Sequence, residues 1–407
     1  MKLNVAVVFG GKSTEHEVSV ISALQAIENL DTDKYNVIPI YMDKEGDFYA
    51  STEGILLDAK NYRDISKLLN ECKNIEFVKI KNRTFIREVD KGFFGYKINI
   101  EIDVVFPIVH GTNVEDGNLQ GFLHTLNLPI VGPDTLSAAI SMDKFVMKEY
   151  VKAMGIPVIK AVRIDKNDFK NIDDTIEMLE KEISYPMIVK PVNLGSSIGI
   201  KKAKDRNGLK DAMSLAFSFA YIVLVEKAIV NMREINCAVL GDKFDAMTSV
   251  LEEPFGSDEI LSFADKYMSG GKGGKNKLSG TKFGGAKALG EKSGGNIGSK
   301  SGMASLKRKI PADIDEAKAK EIKEYALKIF KYLGCSGVAR IDFIIDKDEN
   351  AVYANEINPI PGSLSFYLFE PMGIKYKELL DKLIDIAINS FRDMDRLNFT
   401  FDNNLLR

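Results

Sequence analysis

The stretch "ARIDFIIDKDENAVYANEINP", residues 339–359, sets charged and polar groups at alternate positions within two otherwise apolar runs. Side chains on a strand alternate between its two faces, so Arg340 and Asp342 share one face, and Glu356 and Asn358 share another. If the two runs are neighbouring strands, Asp342, Glu356 and Asn358 converge on one spot with hard oxygen donors beside an arginine. Oxygen sites of this kind suit Mg²⁺ held together with the phosphates of a nucleotide. The alternative is an ordinary surface ion pair. Three such ligands on apolar strands favour the metal site.

Two further stretches bear on a nucleotide. In "IVKPVNLGSSIGI", residues 188–200, Lys190 ends a buried strand and a Gly- and Ser-rich turn leads to the next. That makes a flap of backbone N–H groups and hydroxyls beside one cation, a composition suited to phosphate oxygens. A plain hairpin with a solvated lysine would read the same. "VEKAIVNMRE", residues 225–234, offers a strand end and the carboxylates Glu226 and Glu234, which suit an adenine edge and ribose hydroxyls, although from this stretch alone two solvated surface glutamates are the better reading. "GGKST", residues 10–14, resembles the tail of a phosphate-binding loop, but the G-x-x-x-x-G-K-[ST] pattern needs a glycine where Ala6 stands, and no glycine precedes Gly10. That reading is rejected.

The chain around these stretches reads as an α/β protein. Its 407 residues, 45% hydrophobic and 28% charged, can bury a large core in two or three domains, and a net charge of −3 argues against a whole surface made for nucleic acid. Cys72, Cys237 and Cys335 have neither disulfide nor metal spacing, which fits a reducing cytosol. "LNVAVVF" is too short for a secretion signal and is broken by Gly10 and Gly11, so it reads as a first strand. Thr14 and Glu17 form a capping-box pattern for a helix from about residue 15, and "NVIPIYM" and "DVVFPIV" continue an alternation that predicts a parallel sheet covered by helices, closed by "NLPIVGP" at residues 127–133. Later, "YPMIVKPV" is expected to pair with "SSIGIKKAK", and "AYIVLVEKAI" with "EINCAVLG". Ile322, Tyr325, Ala326, Ile329, Phe330 and Leu333 mark a helix ending at Gly334, and an amphipathic helix from about Lys375 completes the fold. No run is long and apolar enough to span a membrane, so a soluble cytoplasmic protein is expected.

Taken together, "GGKSTEHEVS", "HGTNVEDGNLQG", "SMDK", "VKPVNLGSSIGI", "EKA", "ARIDF" and "NEINPIPG" resemble, in order and spacing, the D-alanine–D-alanine ligase family of the ATP-grasp superfamily. The resemblance covers nearly the whole chain. It implies an ATP-grasp fold with an N-terminal Rossmann-like domain at residues 1–132, a central subdomain at 133–226 and a C-terminal subdomain at 227–395. It also implies ATP-dependent joining of two D-alanines for peptidoglycan, with ATP and two Mg²⁺ ions, for which Mn²⁺ could substitute. Small-molecule partners follow, without nucleic acid or membrane, and the family often forms dimers.

Carried over by resemblance, Lys144, Lys190 and Ser197 would meet the ATP phosphates. Glu226, Lys227 and Ile229 would border the adenine, and Glu234 would hold the ribose. Asp342, Glu356 and Asn358 would carry the metals. Glu15 would bind the first ammonium group with His110 nearby, in a network with Ser196 and Tyr267. Arg340 and the backbone N–H of Gly362 would form the oxyanion site. Lys266, in the lid segment "FADKY", would reach ATP and substrate, and the Gly/Lys-rich run at 269–303 would be an expansion of that lid.

This chain departs from the family pattern at Val114, where the family has Gly, and at Tyr367 and Leu368, where it has Ser-Leu near the second substrate's carboxylate. The competing readings are a sister ligase with D-serine or another D-amino or hydroxy acid as acceptor, and a non-catalytic module that binds anions through its lysine-rich loop.

Overall fold

The computed structural model describes residues 2–90, 95–255, 308–400 and 405. Lys266, Tyr267 and the lid expansion lie outside the described residues. Among the described residues, sixteen strands fall into three sheets. The first sheet holds β1 (Leu3–Gly10), β2 (Tyr35–Met42), β3 (Phe48–Ala50), β4 (Lys73–Ile80), β5 (Arg83–Glu88), β6 (Asn99–Ile102) and β7 (Val104–Pro107), in the order β6-β5-β4-β3-β2-β1-β7. β1 runs parallel to β2 and β7, as the alternating pattern predicts, and Ile130 of "NLPIVGP" bridges to Val105 in parallel. The sheet as a whole is mixed, because β2 to β6 are joined antiparallel in sequence. The strands β3 to β6 of that extension carry weak apolar alternation, and the sequence reading missed them.

The second sheet holds β8 (Ala161–Asp165), β9 (Met187–Pro191), β10 (Lys201–Ala203) and β11 (Ile222–Lys227), in the order β10-β9-β11-β8. The third holds β12 (Met232–Gly241), β13 (Ala246–Pro254), β14 (Arg308–Lys309), β15 (Gly337–Asp346) and β16 (Ala351–Asn358), in the order β14-β13-β12-β15-β16. The expected pairing of "YPMIVKPV" with "SSIGIKKAK" is present as β9 with β10. The expected pairing of "AYIVLVEKAI" with "EINCAVLG" is not. β11 pairs with β8 and β9, whereas β12 pairs with β13 and β15, because the chain passes from one sheet to the next between Lys227 and Met232. Two apolar runs joined by a short link resemble a hairpin whether or not they bond to each other.

Each sheet has its own core. Helices Ile172–Glu182 and Arg206–Phe217 cover the second sheet with Ile176, Leu179, Leu209 and Met213. Helix Glu316–Tyr332 covers the third with Ile322, Ala326, Ile329 and Phe330, and it ends as expected at Gly334, whose φ is 68°. The last helix, Tyr376–Asp395, begins where the amphipathic pattern places it and packs Leu379, Leu380, Leu383 and Ile384 into the core of the first sheet. Helix Lys144–Ala153 contributes Met147 and Val151 to the third-sheet core, and on the same buried face carries Lys144 and Lys148.

One capping expectation fails. Helix His16–Asn29 has Glu15, not Thr14, at its N-cap, and no side chain caps it. Glu17 instead pairs with Lys44 at 2.7 Å, and the Glu15 side chain is drawn away to Ser196.

Phe330 is fully buried among the strands of the third sheet. Phe330→Ala should therefore cost about 3–5 kcal/mol, the usual range for emptying a packed aromatic site. A urea-unfolding midpoint shows this; a variant as resistant as the parent would mean that the helix is not packed as described.

Candidate active site

The three sheets meet at one cleft, lined by Glu15, His110, Glu115, Lys144, Ser196, Arg340, Glu356, Asn358 and Gly362 among others. Seven of the sequence-derived site residues (Glu15, His110, Lys144, Ser196, Arg340, Glu356 and Asn358) thus bring their side chains to one place from six segments of chain, and Gly362 brings its backbone. β15 and β16 pair with Asp342 opposite Glu356 and Arg340 opposite Asn358, the convergence that the alternate spacing anticipates.

Arg340 donates from Nε and Nη2 to the two oxygens of Asp342, both at 2.7 Å, and both side chains are buried. Asn358 Nδ2 donates to Asp342 at 3.0 Å, and Lys144 Nζ lies 2.9 Å from Glu356 and 2.7 Å from the Leu194 carbonyl. Burial pushes the Asp342 carboxyl up, against the opposing pull of Arg340. The Arg340 guanidinium stays charged, because Asp342 outweighs the cost of burying it. Two carboxylates and an amide carbonyl on facing strands make a donor set that would suit Mg²⁺, which takes one or two protein carboxylates and completes its shell with phosphate and water. Among the described residues no group of three or more His, Cys, Asp or Glu could hold a metal by itself. The residues fit an ion shared with a nucleotide rather than a closed protein site.

On the opposite wall Ser196 hydrogen-bonds Glu15. Ser196 and Ser197 have φ of 51° and 58°, so the flap turns its backbone in the left-handed sense next to Gly195. A Cβ on Gly195 would run into the Glu15 carboxylate, which explains why glycine stands there. His110 is buried, its backbone N–H donating to Ser19 Oγ at 2.9 Å and its Nε2 lying 2.9 Å from Ser22 Oγ; burial brings its pKa down to about 4. The imidazole is therefore neutral near pH 7. Glu115, which the sequence reading passed over, accepts from the N–H groups of Gly111 at 2.8 Å and Ile360 at 3.1 Å. Burial and the nearby Glu15 push it up to about 8.

Val114 causes no distortion of the turn. It does not have positive φ, and its buried side chain covers Gly11, where it would collide with any Cβ.

Lys190 and Glu226 lie deeper, between the second sheet and helix Lys144–Ala153. Glu226 is 2% exposed and has Lys190 Nζ at 2.6 Å and Lys148 Nζ at 3.0 Å. Lys148 escaped the sequence reading, although its place one turn after Lys144 on a face shared with Met147 and Val151 is a usable signal. Lys227 is exposed and pairs with Glu349 at 3.2 Å; Ile229 is half-buried; Glu234 stands opposite Ile344 on β12. Tyr367 and Leu368 are buried. None of these last five lines the cleft. Tyr367 lies under Arg308, whose guanidinium carbon is 4.1 Å from the ring centre and which pairs with Glu252 at 2.7 Å.

The comparisons with known proteins agree with this geometry. The family model described as the D-ala D-ala ligase N-terminus matches residues 4–133, and the one described as its C-terminus matches 150–279 and 298–385. The chain is 37% identical to a D-alanine–D-alanine ligase of Thermosipho melanesiensis, over 100% of this chain and 98% of that one. It is 39% identical to that of Caldicellulosiruptor bescii, over 98% and 99%. Among solved structures, the VanG D-Ala:D-Ser ligase from Enterococcus faecalis superposes with a TM-score of 0.75 at 31% identity, covering 95% of this chain and 100% of that one. The D-alanine–D-alanine ligase from Coxiella burnetii superposes with a TM-score of 0.73 at 28% identity, covering 97% and 96%. Fold, cleft and sequence together place this chain in the D-alanine–D-alanine ligase family, with its ATP-grasp fold.

Proposed function

We propose that the chain joins two D-alanines to D-alanyl-D-alanine through an acyl phosphate, consuming ATP, for peptidoglycan synthesis. The observation that carries this reading is the cleft that holds the carboxylate of Glu15 together with a cation-and-carboxylate array, Lys144, Arg340, Glu356 and Asn358. Glu15, fixed by Ser196, receives the ammonium of the first D-alanine and leaves its carboxylate facing the array. That carboxylate attacks the γ-phosphorus, the bond to ADP breaks, and Lys144 and Lys190 meet the phosphate charge. Asp342, Glu356 and Asn358 would hold two Mg²⁺ ions, or Mn²⁺ in their place, which when bound neutralise charge on the transferring phosphoryl group. The amine of the second D-alanine then attacks the acyl carbon, Arg340 and the Gly362 N–H receive the oxyanion, and phosphate leaves as the carbonyl reforms. Closure by Lys266 and Tyr267 would keep water from the acyl phosphate. Ser197 would add to the phosphate flap, Glu226, Lys227 and Ile229 would border the adenine, and Glu234 would hold the ribose. We take the working form to be a cytoplasmic homodimer, on the strength of the family alone.

Glu356→Gln keeps the size of the side chain and removes its charge. Dipeptide formation should fall by on the order of 10²-fold or more, as for loss of one electrostatic stabiliser of a transition state, with the circular dichroism spectrum unchanged. Phosphate release measured with ATP, Mg²⁺ and D-alanine checks it. A folded variant at parental rate would remove Glu356 from the metal set.

D-serine as acceptor is the second reading, and one observation favours it. The buried Tyr367 hydroxyl makes no well-aligned hydrogen bond among the described residues, although the Arg308 side chain is within reach of it, and it lies within electrostatic reach of Arg340. A polar acceptor could supply one, and such a bond can discriminate strongly when its loss leaves a buried group unpaired. Against it, the ring is held beneath Arg308 and does not line the cleft. We therefore expect D-alanine to be preferred in direct competition with D-serine, and Tyr367→Ser to leave the ratio within about threefold. Mass-resolved product ratios decide; a parental preference for D-serine overturns the choice of acceptor.

A further inference from the structure

The cation pair around Glu226 is unbalanced. Lys148 and Lys190 both point at one carboxylate, all three residues are nearly fully buried, and the trio carries one surplus positive charge. The two contacts differ in kind. Lys190 Nζ sits at 2.6 Å from one oxygen of Glu226. Lys148 Nζ sits at 3.0 Å from the other as an ion pair, less well aligned than the Lys190 contact. Burial lowers the Lys148 pKa, and burial would raise that of Glu226 were it not outweighed by the two lysines, Lys148 foremost. On the proposed reading of the site, Lys190 must turn from Glu226 toward the nucleotide's phosphates. A carboxylate stripped of its only cation in a dry interior is costly. A carboxylate that keeps a second cation is not.

We propose that Lys148 is a positioning residue of the nucleotide site: it holds Glu226 from beneath, so that Lys190 is released to the phosphates without leaving a buried carboxylate unpaired. This rests on the ATP-dependent reading above. It predicts that Lys148 matters only for ligands that recruit Lys190. Two properties make the helix suited to the task. Lys148 lies one turn beyond Lys144, which ties the same helix to Glu356, and Met147 and Val151 lock that helix into the third-sheet core. The Lys148 ammonium therefore comes from a helix anchored in the third-sheet core.

The test is nucleotide binding by calorimetry, with ADP–Mg²⁺ and with adenosine, on the full chain. Lys148→Met should weaken ADP roughly tenfold or more, the equivalent of one lost charge compensation, and leave adenosine, which lacks phosphates, within twofold. In a Glu226→Gln background there is no carboxylate to strand, so the further change Lys148→Met should weaken ADP by less than threefold, a coupling that independent sites do not show. At saturating ATP the kcat of Lys148→Met should stay within about threefold while KM for ATP rises with the ADP dissociation constant. Should Lys148→Met not fold, Lys148→Gln, which keeps a donor but no charge, carries the same comparison. Equal weakening of ADP and adenosine, or ADP binding unchanged in every variant, overturns the assignment. A parent chain that binds neither ADP nor ATP overturns the ATP-dependent reading itself, a result distinct from either of these.

Discussion

Charge buried at the junction of three sheets is the constraint on which the rest of this molecule depends. Glu226, Asp342 and Glu356 stand on the strands that face the cleft, and each is matched by a cation on a neighbouring element: Lys190 and Lys148, Arg340, and Lys144. A carboxylate taken out of water without such a partner would cost several kcal/mol. Placing these residues therefore fixes how the sheets approach one another. Helix Lys144–Ala153 is the pivot of that arrangement. Its Met147 and Val151 belong to the core of the third sheet, while its lysines reach β16 on one side and β11 on the other. Ion pairs of this kind contribute little net stability. Their value here lies in holding charged groups ready for an anionic, metal-bearing ligand.

How much of this was legible in the sequence depends on the range of the interaction involved. The β15–β16 site could be read because strand alternation is local: Arg340, Asp342, Glu356 and Asn358 declare a common face by their spacing, and the register brought them together. The last two helices were legible for the same reason, from apolar residues at helical spacing. Pairing between distant strands was not. β11 and β12 look like a hairpin, and only the packing of two separate cores shows that they belong to different sheets. Lys148 was passed over because a lysine inside a helical run suggests solvent, although its neighbours on the face are buried. Thr14 and Glu17 matched a capping pattern, yet that pattern says nothing about the demand that Ser196, far along the chain, makes on Glu15.

The first sheet's helix, His16–Asn29, ties together two parts of the proposed chemistry that the sequence keeps far apart. At its N-terminus stands Glu15, held by Ser196 and proposed to seat the first ammonium group. Further along the helix, Ser22 Oγ accepts from the Ser363 N–H at 3.3 Å, and Gln25 Oε1 accepts from the Ser363 hydroxyl at 2.8 Å. Those contacts fall on the loop that directly follows Gly362. Ser363, Leu364 and Ser365 all have φ near 50°, a conformation that costs non-glycine residues on the order of 1–2 kcal/mol each. The loop can keep it because Leu364 is buried and the helix grips Ser363 from two sides. The Gly362 N–H, proposed for the oxyanion, is thereby set by the same helix that sets Glu15. Ser196 of the flap in turn holds the Glu15 side chain, so the ammonium seat is shared between this helix and the flap, whereas the loop of the oxyanion donor is gripped by the helix. An acyl transfer needs both ends of its substrate held in register in this way while the acyl group changes partners.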